Sequence, residues 1–238
     1  MLYLHGVKGT RGRGHRVFLY NRLLKLGYRV LTIDYRGFGD STDSADTGHG
    51  EDEDTVVEDA RYSCQRNSEY REKVFYSSNA RAALAWLRSR NPKAKLFVWG
   101  HSMGTGIATH ALAEETRVLG PRDTRVAGLV LEAPYNNFTE EFIHVTSKQT
   151  PDMDGHGLLR NLYEMSGMSV PNALLREFKM EFNSDQWILD IQCPILILHA
   201  VEDEVIPLEL GRKLYQAAQD GGNDSVYFFE FGDNHRHK

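Results

Sequence analysis

Short apolar runs alternate along the chain with stretches of helical spacing. The runs are Leu2–Leu4, Tyr28–Asp34, Lys95–Trp99, Val126–Pro134, Pro194–Ala200 and Val226–Phe231. Each is too short for an independent helix and reads as a strand, most of them buried on both faces. Between them, Val17, Leu19, Tyr20, Leu23, Leu24 and Leu26 recur at helical spacing, with Gly27 placed to end the helix. Thr105–Ala113, Arg81–Arg88 and Leu208–Gln219 also read as helices, the last two stopped by Asn91-Pro92 and Gly221-Gly222. Strand and helix in alternation predict an α/β fold, a mostly parallel sheet with helices on both faces.

Two stretches break the pattern. Thr42–Asp54 is an acidic, glycine-containing loop, and Thr55–Ala60 starts a helix capped by Asp54 or Thr55. Arg61–Ala80 then fits poorly. Removing it joins Val56–Ala60 to Arg81–Leu84 with continuous helical spacing, and Ala-Arg stands at both edges. The segment reads as an insertion into one helix, such as a translated retained intron would give. Asn136–Gln186 has short helical pieces, Met153, Met165, Met168 and Met180, aromatics and no strand signal. In a sheet-and-helix protein it reads as a helical lid within a single domain spanning 1–238. Its methionines could line an acyl pocket or simply pack the lid.

Composition narrows the function classes. The 238 residues are 41% hydrophobic and 26% charged with a net charge of −5, which gives no reason to expect nucleic-acid binding. Cys64 and Cys193 form neither a disulfide framework nor a metal pattern, and His49 has no second histidine at ligand spacing. No apolar run has the length of a membrane span, and Met1–His5 is too short for a signal peptide. No metal or cofactor is expected.

The chemistry centres on Gly100-His101-Ser102-Met103-Gly104, lying between a strand and a helix. A G-x-S-x-G turn in that context is a nucleophile elbow: its glycines allow the tight turn, and the serine projects at the sheet edge. His5-Gly6-Val7, after the first strand, fits an oxyanion loop, with the N–H groups of Val7 and Met103 holding the charge of a tetrahedral intermediate. Asp203 leaves the C-terminal end of a strand, where active-site groups collect. Glu202 and Glu204 compete with it, but the sharp turn favours Asp203, with Val205, Ile206 and Pro207 packing behind. His235 and His237 follow the last strand. Serine, acid, histidine is the chain order of α/β-hydrolases, in which an imidazole takes the serine proton and a carboxylate fixes its tautomer. Asp34 precedes the serine, so it reads as structural. Lys8, Arg11, Arg13 and Arg16 read either as solvated or as receptors for an anionic headgroup.

The chain resembles the α/β-hydrolase-domain lysophosphatidylserine lipases, also described as monoacylglycerol lipases. The resemblance runs through LYLHGVKGTRGRGHRV, VLTIDYRGFGDS, VWGHSMGTGIAT, LVLEAP, CPILILHAVEDEVIP, LGRKLY and the terminal RHK. It implies Ser102 as nucleophile, Asp203 as acid and, through Arg236-His237-Lys238, His237 as base, with His235 the fallback. It also implies a lipid ester as substrate, drawn from a membrane surface, and an endoplasmic-reticulum membrane setting. Intact members begin earlier, with a membrane-spanning segment and extra strands, and continue into a closing helix. Their helix before the elbow is unbroken where this chain has Arg61–Ala80. The resemblance therefore implies a chain shortened at both ends. A thioesterase using the same triad, and an inactive lipid-binding fragment, are the competing readings.

Overall fold

The computed structural model describes residues 1–35, 38–41, 68–120, 125–137 and 183–232. They contain six strands: β1 (Leu2–Leu4), β2 (Leu31–Thr32), β3 (Leu96–His101), β4 (Val126–Glu132), β5 (Ile195–Ala200) and β6 (Val226–Phe231). The sheet order is β2-β1-β3-β4-β5-β6, and every adjacent pair is parallel. The helices are α1 (Gly14–Lys25), α2 (Ser68–Arg90), α3 (Met103–Leu119), the short α4 (Ser184–Trp187), which runs into a 3-10 turn, and α5 (Leu208–Asp220).

Parallel register puts paired residues on one face of the sheet, and alternation separates the two faces. One face carries Leu4, Leu131, Ile197 and Phe228 in one row and Leu2, Val98, Leu129, Ile195 and Val226 in another. These side chains join Leu84 of α2, Ile107 and Ala111 of α3, and Leu210 and Leu214 of α5 in the main core. A partly buried two-pronged pair, Arg88 to Glu115 at 3.0 and 2.6 Å, ties α2 to α3. The opposite face carries Tyr3, Trp99, Val130, Leu196 and Tyr227. There α1 packs its Tyr20 edge-on to Tyr3 at 5.2 Å. At the β5–β6 end the same face is open, with Tyr227 61% and Phe229 58% exposed. Helices thus lie on both faces, as expected, but unequally.

Three expectations are corrected. The strand expected over Tyr28–Asp34 narrows to Leu31–Thr32, because among the described residues its only partner is the three-residue β1. The face of α1 that packs inward is Arg16, Leu19, Tyr20 and Leu23. Val17, Leu24 and Leu26, expected in the apolar stripe, are exposed. The helix expected from Arg81 begins at Ser68, inside the segment that fits poorly as sequence. From that segment Tyr76 stacks edge-on to Tyr35 at 5.5 Å, and Ala80 enters the core. Residues 55–67 and most of the expected lid, 138–182, lie outside the described residues, as do His49 and Cys64. The lid's two ends meet in an antiparallel bridge, Asn137 with Asn183.

Candidate active site

β3 ends at His101 and α3 starts at Met103, so Ser102 alone makes the turn. It does so at φ 53° and ψ −122°, a conformation that residues with a Cβ rarely adopt. The flanking glycines are sterically required. A Cβ on Gly100 would overlap the Gly104 carbonyl, and one on Gly104 would overlap the Leu4 carbonyl at the end of β1. The Ser102 N–H donates to the Glu132 carbonyl at 2.9 Å. Its own carbonyl accepts the N–H and hydroxyl of Thr105 at 2.8 and 2.6 Å. Ser102 is only 7% exposed and stands at the N-terminus of α3, whose first N–H groups, Met103's included, have no acceptor within the helix.

The loop after β1 lies against this turn. A Cβ on Gly6 would lie 3.0 Å from Ser102 Cβ, so a glycine lets the loop approach the serine this closely without displacing it. Asp34, its side chain buried, fastens the loop at both ends: Oδ1 is 3.1 Å from His5 Nε2 and accepts the Arg11 N–H at 2.6 Å. The Tyr35 hydroxyl donates to the His5 carbonyl at 3.0 Å. Burial is the largest influence on His5 and lowers its pKa. The Gly6 carbonyl, 2.8 Å from Nδ1, and Asp34 oppose it, while the Arg16 charge adds to it. Arg11 is not simply solvated: its guanidinium pairs with Asp34 and, in two-pronged fashion, with exposed Asp40. Arg16 is not solvated either, being 2% exposed beneath the loop. Lys8 and Arg13 are exposed, and the Arg13 guanidinium packs over Gly9.

Of the three acids after β5, only Asp203 is buried; Glu202 and Glu204 are exposed. Its Oδ1 accepts the N–H groups of Val205 at 2.9 Å and Ile206 at 2.8 Å. Ile206 and Pro207 pack behind it as expected, whereas the Val205 side chain is 39% exposed. Fully buried His199 reaches the Ile206 carbonyl at 2.9 Å through Nε2, which also lies 3.8 Å from Asp203 Oδ2. A Cβ on Gly211 would overlap that imidazole. The last strand delivers the chain beside this acid: the Val201 N–H donates to the Phe231 carbonyl at 2.9 Å, and Gly232 approaches Glu202. His235 and His237 lie outside the described residues. The described elements therefore bring Val7's loop, Ser102 and Met103 together, and set Asp203 at the same C-terminal edge two strands away. Among the described residues, no group of three or more His, Cys, Asp or Glu could hold a metal ion.

The sequence reading missed the roles of Arg16 and His199. Arg16 had one usable signal: it occupies a position in line with Leu19, Tyr20 and Leu23, where a solvated arginine has no place.

A family model described as the alpha/beta hydrolase fold matches residues 1–167. The chain belongs to the α/β-hydrolase family. Among curated proteins, the lysophosphatidylserine lipase ABHD12 of Danio rerio is 34% identical over 247 residues, covering 100% of this chain and 53% of its own length. The Rattus norvegicus protein of the same name is 35% identical over 222 residues, covering 92% and 45%. Protein ABHD12B of Homo sapiens is 32% identical over 224 residues, covering 92% and 50%. This α/β-hydrolase chain thus spans about half the length of the curated relatives it matches. The same fold recurs in the Pyrococcus furiosus esterase Pf2001 (TM-score 0.66, 19% identity, 99% of this chain and 73% of that one). It recurs also in Est1E from Butyrivibrio proteoclasticus (TM-score 0.60, 16% identity, 99% and 80%).

Proposed function

We propose that the chain is a serine ester hydrolase acting on a lipid ester, a lysophospholipid or monoacylglycerol. The carrying observation is Ser102, held at positive φ between β3 and α3 with the Gly6 loop against it. The names of the curated relatives supply the substrate class. In this reading Ser102 Oγ attacks the ester carbonyl carbon while His237, or His235, takes its proton. Asp203 orients the imidazole, and the N–H groups of Val7 and Met103 hold the oxyanion. The tetrahedral intermediate collapses as the histidine protonates the departing alcohol. Water, deprotonated by the same histidine, then releases the fatty acid and restores Ser102. The substrate is drawn from a membrane surface. Among the described residues no helix is long and apolar enough to cross a membrane.

An anionic headgroup would meet Lys8 and Arg13 first. Arg11 is already paired with Asp34 and Asp40 and would have to release Asp40 to take part.

Labelling with a fluorophosphonate, with Ser102→Ala alongside, tests the nucleophile. We expect labelling of the parent chain and none of the variant. A folded parent chain that binds lipid yet is never labelled would sink the hydrolase reading in favour of a lipid-binding one. Hydrolysis of matched lysophospholipid, monoacylglycerol and acyl-thioester substrates then fixes the substrate class.

A further inference from the structure

One guanidinium serves three carbonyls of the loop after β1. Arg16 Nη1 donates to the Thr10 carbonyl at 2.6 Å, and Nη2 donates to those of Lys8 at 2.9 Å and Gly6 at 3.2 Å. The residue is 2% exposed, at a position in α1 that otherwise faces the sheet with Leu19, Tyr20 and Leu23. A buried charge costs free energy unless it is well hydrogen-bonded, and an apolar side chain would cover the sheet at less cost. The arginine is therefore explained by the carbonyls it serves, and those carbonyls by the N–H groups they orient. In a trans peptide plane the carbonyl of one residue and the N–H of the next point to opposite sides. A Thr10 carbonyl turned toward Arg16 sends the Arg11 N–H the other way, where it meets Asp34 at 2.6 Å. A Gly6 carbonyl turned toward Arg16, and shared with His5 Nδ1 at 2.8 Å, likewise sends the Val7 N–H away from α1, in the stretch of loop that abuts Ser102.

We infer that Arg16 is the positioning residue of the oxyanion loop, fixing the Gly6–Val7 peptide plane so that the Val7 N–H is aimed before substrate arrives. The inference rests on the ester-hydrolase reading. It needs the three-point fork of a guanidinium, which the single ammonium of lysine does not reproduce. Misplacing a catalytic group by about 1 Å can cost roughly 10²-fold in rate.

The test compares Arg16→Lys and Arg16→Met with the parent chain. Hydrolysis by Arg16→Lys is expected to fall about 10²-fold in kcat with KM nearly unchanged. Affinity for a trifluoromethyl ketone, which forms an oxyanion on Ser102, should fall in parallel, while affinity for the matching methyl ketone stays within about twofold. Added guanidinium ion should restore activity to Arg16→Met. Amide hydrogen exchange supplies a readout independent of chemistry: residues 6–10 should exchange faster in both variants, with 203–206 unchanged. Unchanged kcat, equal loss of both ketones, unchanged exchange at 6–10, or an Arg16→Lys chain that does not fold would each overturn the proposal. Faster exchange at 6–10 together with a parent chain that no fluorophosphonate labels would overturn the hydrolase reading instead and leave the clamp standing.

Discussion

Two loops at one edge of the sheet are held by opposite means. Residues 5–11, after β1, are tied by groups from other elements: Asp34 and Tyr35 beyond β2, and Arg16 in α1. Residues 203–206, after β5, take hydrogen bonds from near neighbours in sequence: Asp203 accepts the next N–H groups, and His199 of β5 reaches Ile206. The first arrangement makes loop shape and fold stability the same property, because removing a buried partner strands the groups that it served. The second lets the acid be altered chemically while the loop keeps its form.

The largest expected effect sharpens this contrast. Asp203→Asn keeps an oxygen acceptor for the Val205 and Ile206 N–H groups but, in the proposed triad, would no longer hold the imidazole in the required tautomer. Hydrolysis should fall about 10⁴-fold, with little change in thermal midpoint, as steady-state kinetics and circular dichroism on the same samples would read. A collapsed midpoint would mean that the acid loop is not self-sufficient. Asp34→Ala should do the reverse, lowering stability by about 1–3 kcal/mol and slowing fluorophosphonate labelling together. The loss is moderated because Arg11, partly exposed, keeps Asp40. A denaturant melt that is unchanged while labelling slows would separate shape from stability here too and remove the contrast.

The smallest effect is a pH slope. Burial holds His5 below the ordinary histidine value, so below about pH 6.5 the unfolded chain takes up a proton that the folded chain resists. This contribution is complete above that pH and lost as pH falls through it, until folded His5 itself protonates. Thermal melts from pH 7.5 downward should therefore show an acid-side loss that His5→Gln reduces.

What could be read from the sequence follows the same division. The elbow and Asp203 are local arrangements, with glycines, strand ends and chain order all within a few residues, and the parallel sheet follows from alternating runs. The clamp is not local. Arg11, Arg13 and Arg16 look alike in a basic stretch, and only packing shows that one is buried, one paired and one exposed. The same reason explains α1, where two apolar stripes compete and the sheet selects the one containing the arginine. It also explains α2, where Tyr76 meets Tyr35 and Ala80 joins the core, which helical spacing alone does not reveal.

The positive φ of Ser102 has a consequence for how such a chain changes over generations. Backbone in that region costs of order 1–3 kcal/mol for a residue with a Cβ and almost nothing for glycine. Two of the six serine codons, AGC and AGT, become glycine codons by one base change, and such a change at position 102 would relieve that strain. Drift toward stability and retention of the proposed nucleophile therefore pull in opposite directions at position 102. A chain with no need for hydrolysis could carry glycine at position 102 without steric cost to this turn.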